Sequence, residues 1–368
     1  MSELNSEQAL VSGELWHQFC DTLKRAGDQV LRPEAPADAA TRAEGFRYLT
    51  RLLRIGLEMH VEFADPDHPV FFRTSHETAK IGADNPDNLY QYARLRGDRD
   101  YRIRGQRNTV HYLSFRTQKG GYEGDGTLPE TGFLDTNNLV VEDDGSFEII
   151  VSQQRHPGNW LPMEPDSNAV LVRHTFHDRR AEVAAEVTIK PLAADVAHVP
   201  PEPEEIAQGL LRAANFAEGT ARLFADWAQS YLGAPNELPP ADQALCQSVG
   251  GDPNIFYYHG YWQLEEDEAL LIEVERIPEC ETWNIQIDNY WMESLDYRYH
   301  RICINKHNAH YNSDGSVTLV LAHRDPAQPN WLETEGGEQG TLCFRWVGSK
   351  EQVHPKVRKV SLAELGGN

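Results

Sequence analysis

Between residues 288 and 331 ionisable side chains crowd against aromatic rings. The stretch DNYWMESLDYRYHRICINKHNAH (288–310) carries Asp288, Glu293, Asp296, Arg298, His300, His307 and His310 among Tyr290, Trp291, Tyr297 and Tyr299. Carboxylates and imidazoles walled by rings have pKa values moved by burial and by one another, which general acid–base catalysis exploits. Read as a strand of period two, Trp291, Glu293, Leu295, Tyr297 and Tyr299 share one face, and Asp296, Arg298 and His300 the other. The expected catalytic set is Glu293, as acid or base, with His323, Asp296 and Arg324, the last-named strand pairing alongside. Tyr290, Trp291, Tyr297, Arg298, His307 and Trp331 are the expected substrate contacts.

Two other readings stand beside this one. His307 and His310, with His300 and His323 on neighbouring segments, could supply imidazoles to a metal. The spacing does not put both histidines on one face, and no HxH-plus-Glu pattern appears, so no metal is assigned. Alternatively the cluster braces the fold or binds a ligand without chemistry. Arg298 with Asp296 or Asp325 would brace a sheet, and five of the eight tryptophans lie between 262 and 346, enough for a groove holding a sugar or an apolar ligand. Phosphate-loop, dinucleotide, nucleophile-elbow and HExxH motifs are absent, and no cofactor is implied. GGYEGDGT (120–127) reads as a loop, and His76-Glu77 as a helix start.

The elements that must position these residues are written twice. NLVVEDDGSFEIIVSQQRHPGNWL, ending at Leu161, lies over NAHYNSDGSVTLVLAHRDPAQPNWL, ending at Leu332. Asp144-Gly145-Ser146 matches Asp314-Gly315-Ser316, and Asn159-Trp160-Leu161 matches Asn330-Trp331-Leu332. Arg173 falls opposite Arg345, Asn137 opposite His307 and Gln153 opposite His323, while DNPDNLYQYARL resembles GGDPNIFYYHGYW upstream. Asp-Gly supplies the positive-φ turn of a hairpin, Trp a large ring at a strand corner, and Asn a tie for loop backbone. Residues present in both copies are expected to serve the fold, and polar residues of one copy a site.

Helices are expected where the period is 3.6: a capping box at Thr41 and Glu44 before Phe46, Leu49, Leu53, Leu57 and His60, and a second at Thr74 and Glu77. A further amphipathic helix follows the Pro-rich connector 193–203 and bends at Gly219. Strands are expected at 110–115, 146–153, 169–176 and 185–189, and again from about 255 onward.

The segments NYWMESLDYR (289–298), AHRDPAQPNWLETEGG (322–337) and GNWLPMEPDSNAVLVRHTF (158–176) resemble a bacterial family catalogued as domain of unknown function 1214, which often occurs beside another numbered 1254. The resemblance implies a β-sandwich or jelly-roll-like fold, often in oligomers, and implies no reaction.

Acidic residues exceed basic ones by 57 to 34, and a net charge of −23 repels phosphate backbones and anionic lipid, so neither nucleic acid nor membrane is an expected partner. No apolar run approaches the roughly 20 residues of a membrane span, and the polar, acidic start lacks a secretory signal. Five widely spaced cysteines without a CxxC pair fit reduced thiols in the cytoplasm. The expected fold is α+β: a helical region (1–80), a first β-sandwich or jelly-roll-like repeat (81–192), a Pro-rich linker with a connector helix (193–243) and a second such repeat (244–368). The expected function is a cofactor-independent lyase, isomerase or hydrolase moving a proton on a small apolar or cyclic molecule, with a homo-oligomer allowed. The alternative is a non-catalytic β-sandwich that binds a carbohydrate or apolar ligand.

Overall fold

Apolar residues at every second position give each strand one face to bury, and two such faces close on each other. The computed structural model describes residues 6–193 and 197–366; positions 194–196 of the expected connector lie outside the described residues. In the first repeat the alternating runs form β1 (Asn88–Arg94), β2 (Tyr101–Gln106), β3 (Tyr112–Gln118), β4 (Glu130–Asp135), β5 (Ser146–Ser152), β6 (Trp160–Pro162), β7 (Ala169–Thr175) and β8 (Glu186–Pro191). The second forms β9 (Ile255–Gln263), β10 (Glu268–Val274), β11 (Thr282–Ile287), β12 (Cys303–Asn305), β13 (Val317–Ala322), β14 (Trp331–Glu333), β15 (Gln339–Val347) and β16 (Lys356–Ser361).

Strand order repeats without exception. The first repeat has sheets β1-β7-β3-β4 and β6-β5-β2-β8, and the second β9-β15-β11-β12 and β14-β13-β10-β16. Even the single parallel pair recurs, β5 with β6 and β13 with β14. Between the first two sheets lie Leu113, Phe115, Val170, Val172, Ile103, Ile149 and Leu161; between the second two lie Trp283, Ile285, Phe344, Trp346, Ile272, Leu319 and Leu332. Fully burying a side chain of this size stabilises by about 1.5–3 kcal/mol, so each sandwich carries its own core. The duplicated α+β architecture read from the sequence is the one the chain adopts.

The matched tripeptides do matching work. Gly145 and Gly315 sit at φ of 84° and 85°, where a β-carbon would be strained. Asn159 binds the Val140 backbone and the Glu148 carbonyl, as Asn330 binds His310 and Thr318. The Trp160 and Trp331 indoles donate to the Ser152 and Ala322 carbonyls. One expectation is corrected: the Asp-Gly turn does not join paired strands, because β4 and β5 lie in opposite sheets.

The helices are α1 (Ser6–Ser12), α2 (Glu14–Val30), α3 (Ala39–Leu57) with a π-helical turn at Glu58–Glu62, α4 (Pro203–Tyr231) and α5 (Gln243–Ser248). α3 begins before Thr41, since Asp38 takes the capping role by accepting from the Thr41 N–H at 2.8 Å. No helix forms at Thr74–Glu77. His76 and Ala79 instead exchange backbone bonds of 2.7 and 3.1 Å, a turn too short to nucleate one. α4 runs through Gly219 as one helix.

By contacts the chain forms two units that are discontinuous in sequence. The first comprises Met1–Pro33, Gly45–Ala79 and Asn88–Leu223; the second comprises Glu34–Glu44, Lys80–Asp87 and Phe224–Asn368. The helical N-terminal stretch is therefore divided between them.

Candidate functional site

In the first unit the outer face of β1 presents Tyr92 and Arg94, two residues apart and so on one side. Tyr92 is buried and hydrogen-bonds Arg94, which fixes the direction of that guanidinium. The π-helical turn after α3 carries His60, whose side chain is 1% exposed. π-helical turns insert a residue and re-aim a side chain, often at functional sites. Its Nε2 has no hydrogen-bond partner and lies 3.8 Å from Oε2 of Glu123. Glu123 belongs to the loop between β3 and β4 and folds back over Gly121, where a β-carbon would fall 2.2 Å from Oε2. Phe216 of α4 packs edge-on against the His60 ring.

Burial, with Arg94 and Arg212 adding repulsion, holds the His60 imidazole down at about 3, so it is neutral. Burial pushes the Glu123 carboxyl the other way, above its usual range, against the pull of its own backbone N–H, Arg94 and Arg212. Both arginines also line an open cleft of about 530 Å³, together with Arg96, Asp98, Asp166 and Ser167. Arg96 is paired with Asp98 at 2.6 Å, and Lys119 is shared between Glu164 at 2.7 Å and Asp166 at 3.1 Å. Among the side chains that line the cleft, three guanidinium groups (Arg94, Arg96 and Arg212) stand against two carboxylates (Asp98 and Asp166). A buried acid with raised proton affinity, a neutral imidazole and surplus positive charge are the parts of an acid–base site for an anion.

The residues singled out from the sequence are distributed otherwise. Strand β11 ends at Ile287, and 288–302 is a loop, not a strand of period two. The Asn289 side chain accepts from the N–H groups of Trp291 and Glu293, and Met292 turns to φ 56°, which breaks the alternation. Glu293, Tyr290 and Trp291 are each 1% exposed. Glu293 accepts from Asn289 at 3.1 Å, and the Trp291 indole donates to the Thr41 carbonyl at 2.8 Å. Both ring nitrogens of His323 are engaged, with Thr334 Oγ1 at 2.9 Å and the Leu264 carbonyl at 3.1 Å. β13 pairs with β10 and β14, so the strand before His323 does not lie beside β11. Asp296 pairs with Arg298 at 2.6 Å, which holds its carboxyl down at about 2, and Arg298 rests over the Tyr299 ring. Tyr297 packs on the core below Lys80. His307, His310 and Arg324 are exposed, and Trp331 holds the β13 backbone. His300 bonds Glu333 at 2.9 Å, which raises its proton affinity. Among the described residues no group of three or more His, Cys, Asp or Glu side chains is arranged to hold a metal.

What the second unit builds is an enclosed polar network. Segment 80–87 lies against the outer face of β9-β15-β11-β12. Arg345 donates to Gln286, Asn284 and the Ala83 carbonyl, and Gln286 to the Asp84 carbonyl and to Asp288. Asn284 and Asn305 donate to Asp87, and Ser294 donates twice to the Asp84 carboxylate. Lys80 donates to the Ser294 hydroxyl and to the Ser294 and Leu295 carbonyls. Burial pushes Asp84 up to about 6 and Asp288 to about 7.

The family described as Protein of unknown function (DUF1214) matches twice, over residues 90–177 and 263–351, each match within one repeat. The chain belongs to the DUF1214 family. Among solved structures this DUF1214 chain is similar to an uncharacterised protein from Burkholderia cenocepacia, at 59% identity over 97% of this chain and 99% of that one, with a TM-score of 0.95. It shares its fold with the VPA0106 protein from Vibrio parahaemolyticus, at 12% identity over 92% of this chain and 100% of that one, TM-score 0.50. No curated protein matches. In the sequence of this DUF1214 protein His60 falls on an apolar helix face and Glu123 in a plain loop, and no motif marks Arg94 or Arg212. Tyr92 and Arg94 at strand spacing are the available signal, since a charged residue beside a ring on one strand face is informative where that face is covered.

Proposed function

We propose that the protein is an enzyme that moves a proton on a small molecule that enters by the first-repeat cleft and reaches past Arg94 and Arg212 to the His60–Glu123 pair, with Glu123 as base and His60 as a neutral hydrogen-bond donor. One observation carries this reading: the imidazole is buried and neutral, with Nε2 unpartnered 3.8 Å from Glu123. An acid pushed up and an imidazole pushed down divide the two roles. Glu123 takes a proton from carbon, and His60, protonated on Nε2, donates to the oxygen where negative charge develops. The field of Arg94 and Arg212 favours that charge. Proton abstraction of this kind opens isomerase and lyase reactions. The cluster at 288–331, expected to do this work, is in this reading a brace. All five cysteines are unpaired, which supports a reducing, cytoplasmic setting.

The test needs no known product. A panel of small ketones and oxo acids is incubated with the protein in D2O, and loss of the C–H signal is followed by proton NMR. Exchange is expected for at least one compound, and Glu123→Gln should slow it by about 10²–10⁴-fold. Exchange by the wild type no faster than in buffer removes the catalytic reading. A second reading, binding without turnover, has its own support: the cleft is lined by Arg94 and Arg212, while His60 and Glu123 lie outside the lining.

A further inference from the structure

We infer that the cleft takes a monoanionic carboxylate, held between the guanidinium groups of Arg94 and Arg212. The inference rests on the cleft being the substrate site and names the chemical class it accepts.

A chain of net charge −23 repels anions over most of its surface, so an anion site requires a local surplus of positive charge. The cleft has one. Three guanidinium groups line it, Arg94, Arg96 and Arg212, against the two carboxylates Asp98 and Asp166; Arg96 pairs with Asp98, and Lys119, outside the lining, is shared between Asp166 and Glu164. The side chains that line the cleft therefore carry one positive charge in surplus, which one carboxylate balances and a phosphate dianion would overshoot. Arg94 is half-buried and steered by the Tyr92 phenol, so its fork is already oriented, whereas Arg212 reaches in from the exposed side of α4. Planar guanidinium forks match the two oxygens of a carboxylate, and a pre-oriented fork loses less freedom on binding. A volume of about 530 Å³ exceeds what a bare inorganic ion needs and suits a small organic acid. The second repeat supplies a contrast, because the position of Arg94 is held there by Tyr261, whose hydroxyl is spent on Gln339 at 2.8 Å.

Isothermal titration at fixed ionic strength tests this with 2-oxobutanoate, cyclohexanecarboxylate, the methyl ester of the latter and inorganic phosphate. Saturable binding is expected for a carboxylate and not for the ester or for phosphate. Arg212→Gln, at an exposed position that folding tolerates, should weaken the carboxylate at least about tenfold, roughly the loss of one charge-assisted hydrogen bond. Arg94→Lys should weaken it similarly through the lost fork. Glu123→Gln should bind as well or better, since it removes a like charge. Phosphate binding in place of carboxylate, equal binding of ester and acid, or indifference to Arg212→Gln each overturns the inference. Deuterium exchange of a neutral ketone without carboxylate binding would keep the enzyme and discard the clamp. Carboxylate binding without exchange would keep the clamp and discard the enzyme.

Discussion

On the outer face of β1-β7-β3-β4, Tyr92 and Arg94 occupy the register positions that His259 and Tyr261 hold on β9-β15-β11-β12. The strand frame is common to both repeats; the use of that face is not. In the second repeat Arg345 is met by Gln286, Asn284 and the Ala83 carbonyl, Lys80 by Ser294 and Leu295, and Asp87 by Asn284 and Asn305. In the first, guanidinium charge remains over and opens onto a cleft. A polar cluster that spends all but an occasional acceptor, such as Asp288 Oδ2, on itself braces a fold, and one with charge to spare is where a ligand has something to gain. Density of ionisable residues alone does not separate the two.

The comparison is broken most forcefully by paired substitutions. Glu123→Gln should cost about 10²–10⁴ in exchange rate, while Glu293→Gln should leave exchange unchanged and move only the melting temperature; the reverse result would return the site to the second repeat. Lys80→Met should destabilise by about 3–5 kcal/mol in chemical denaturation, because it leaves the buried Asp84 without its cation. A cost below about 1 kcal/mol would mean that the network is not a brace.

Acidity sharpens the contrast further. Asp84 and Asp288 have folded pKa values raised by burial to about 6 and about 7, from an unfolded value near 3.8. The folded state therefore holds protons that the unfolded state has released. The associated stability is fully present below about pH 4 and is lost as pH rises through 6 and 7. Oδ1 of Asp288 accepts from Gln286 at 2.6 Å, and Oδ2 has no partner. Asp288→Asn should thus stabilise the protein by about 1–3 kcal/mol at pH 8 and not at pH 4, flattening the pH profile of the denaturation midpoint. An equal effect at both pH values would contradict the assignment.

The smallest effect is expected at His323. Gln153 holds the same register in the first repeat and donates to the Gly97 carbonyl at 2.6 Å, where His323 contacts the corresponding Leu264 carbonyl at 3.1 Å. His323→Gln should keep that bond and change stability by less than about 1 kcal/mol, with no change in exchange. A large loss of exchange would make His323 catalytic.

The duplication was legible because turns and corners are encoded locally: Asp-Gly requires a positive φ, and Asn-Trp places an amide and an indole against backbone. Sheet membership is not local, so nothing in the Asp-Gly turn announced that β4 and β5 part to opposite sheets. The loop after β11 misled for a related reason. Alternating rings and charges imitate a strand, and only the Asn289 turn and the left-handed Met292 show otherwise. As for the site, His60, Arg94, Glu123 and Arg212 come from four separate elements, and no periodicity links them. A lone histidine on an apolar helix face looks the same in sequence whether or not a carboxylate waits opposite.

Crystals soaked with a set of small carboxylates test the central claim most directly. Ligand density is expected between Arg94 and Arg212 in the first repeat, with none against residues 288–310. Density beside Glu293 or His323, with the arginine cleft empty, would contradict it.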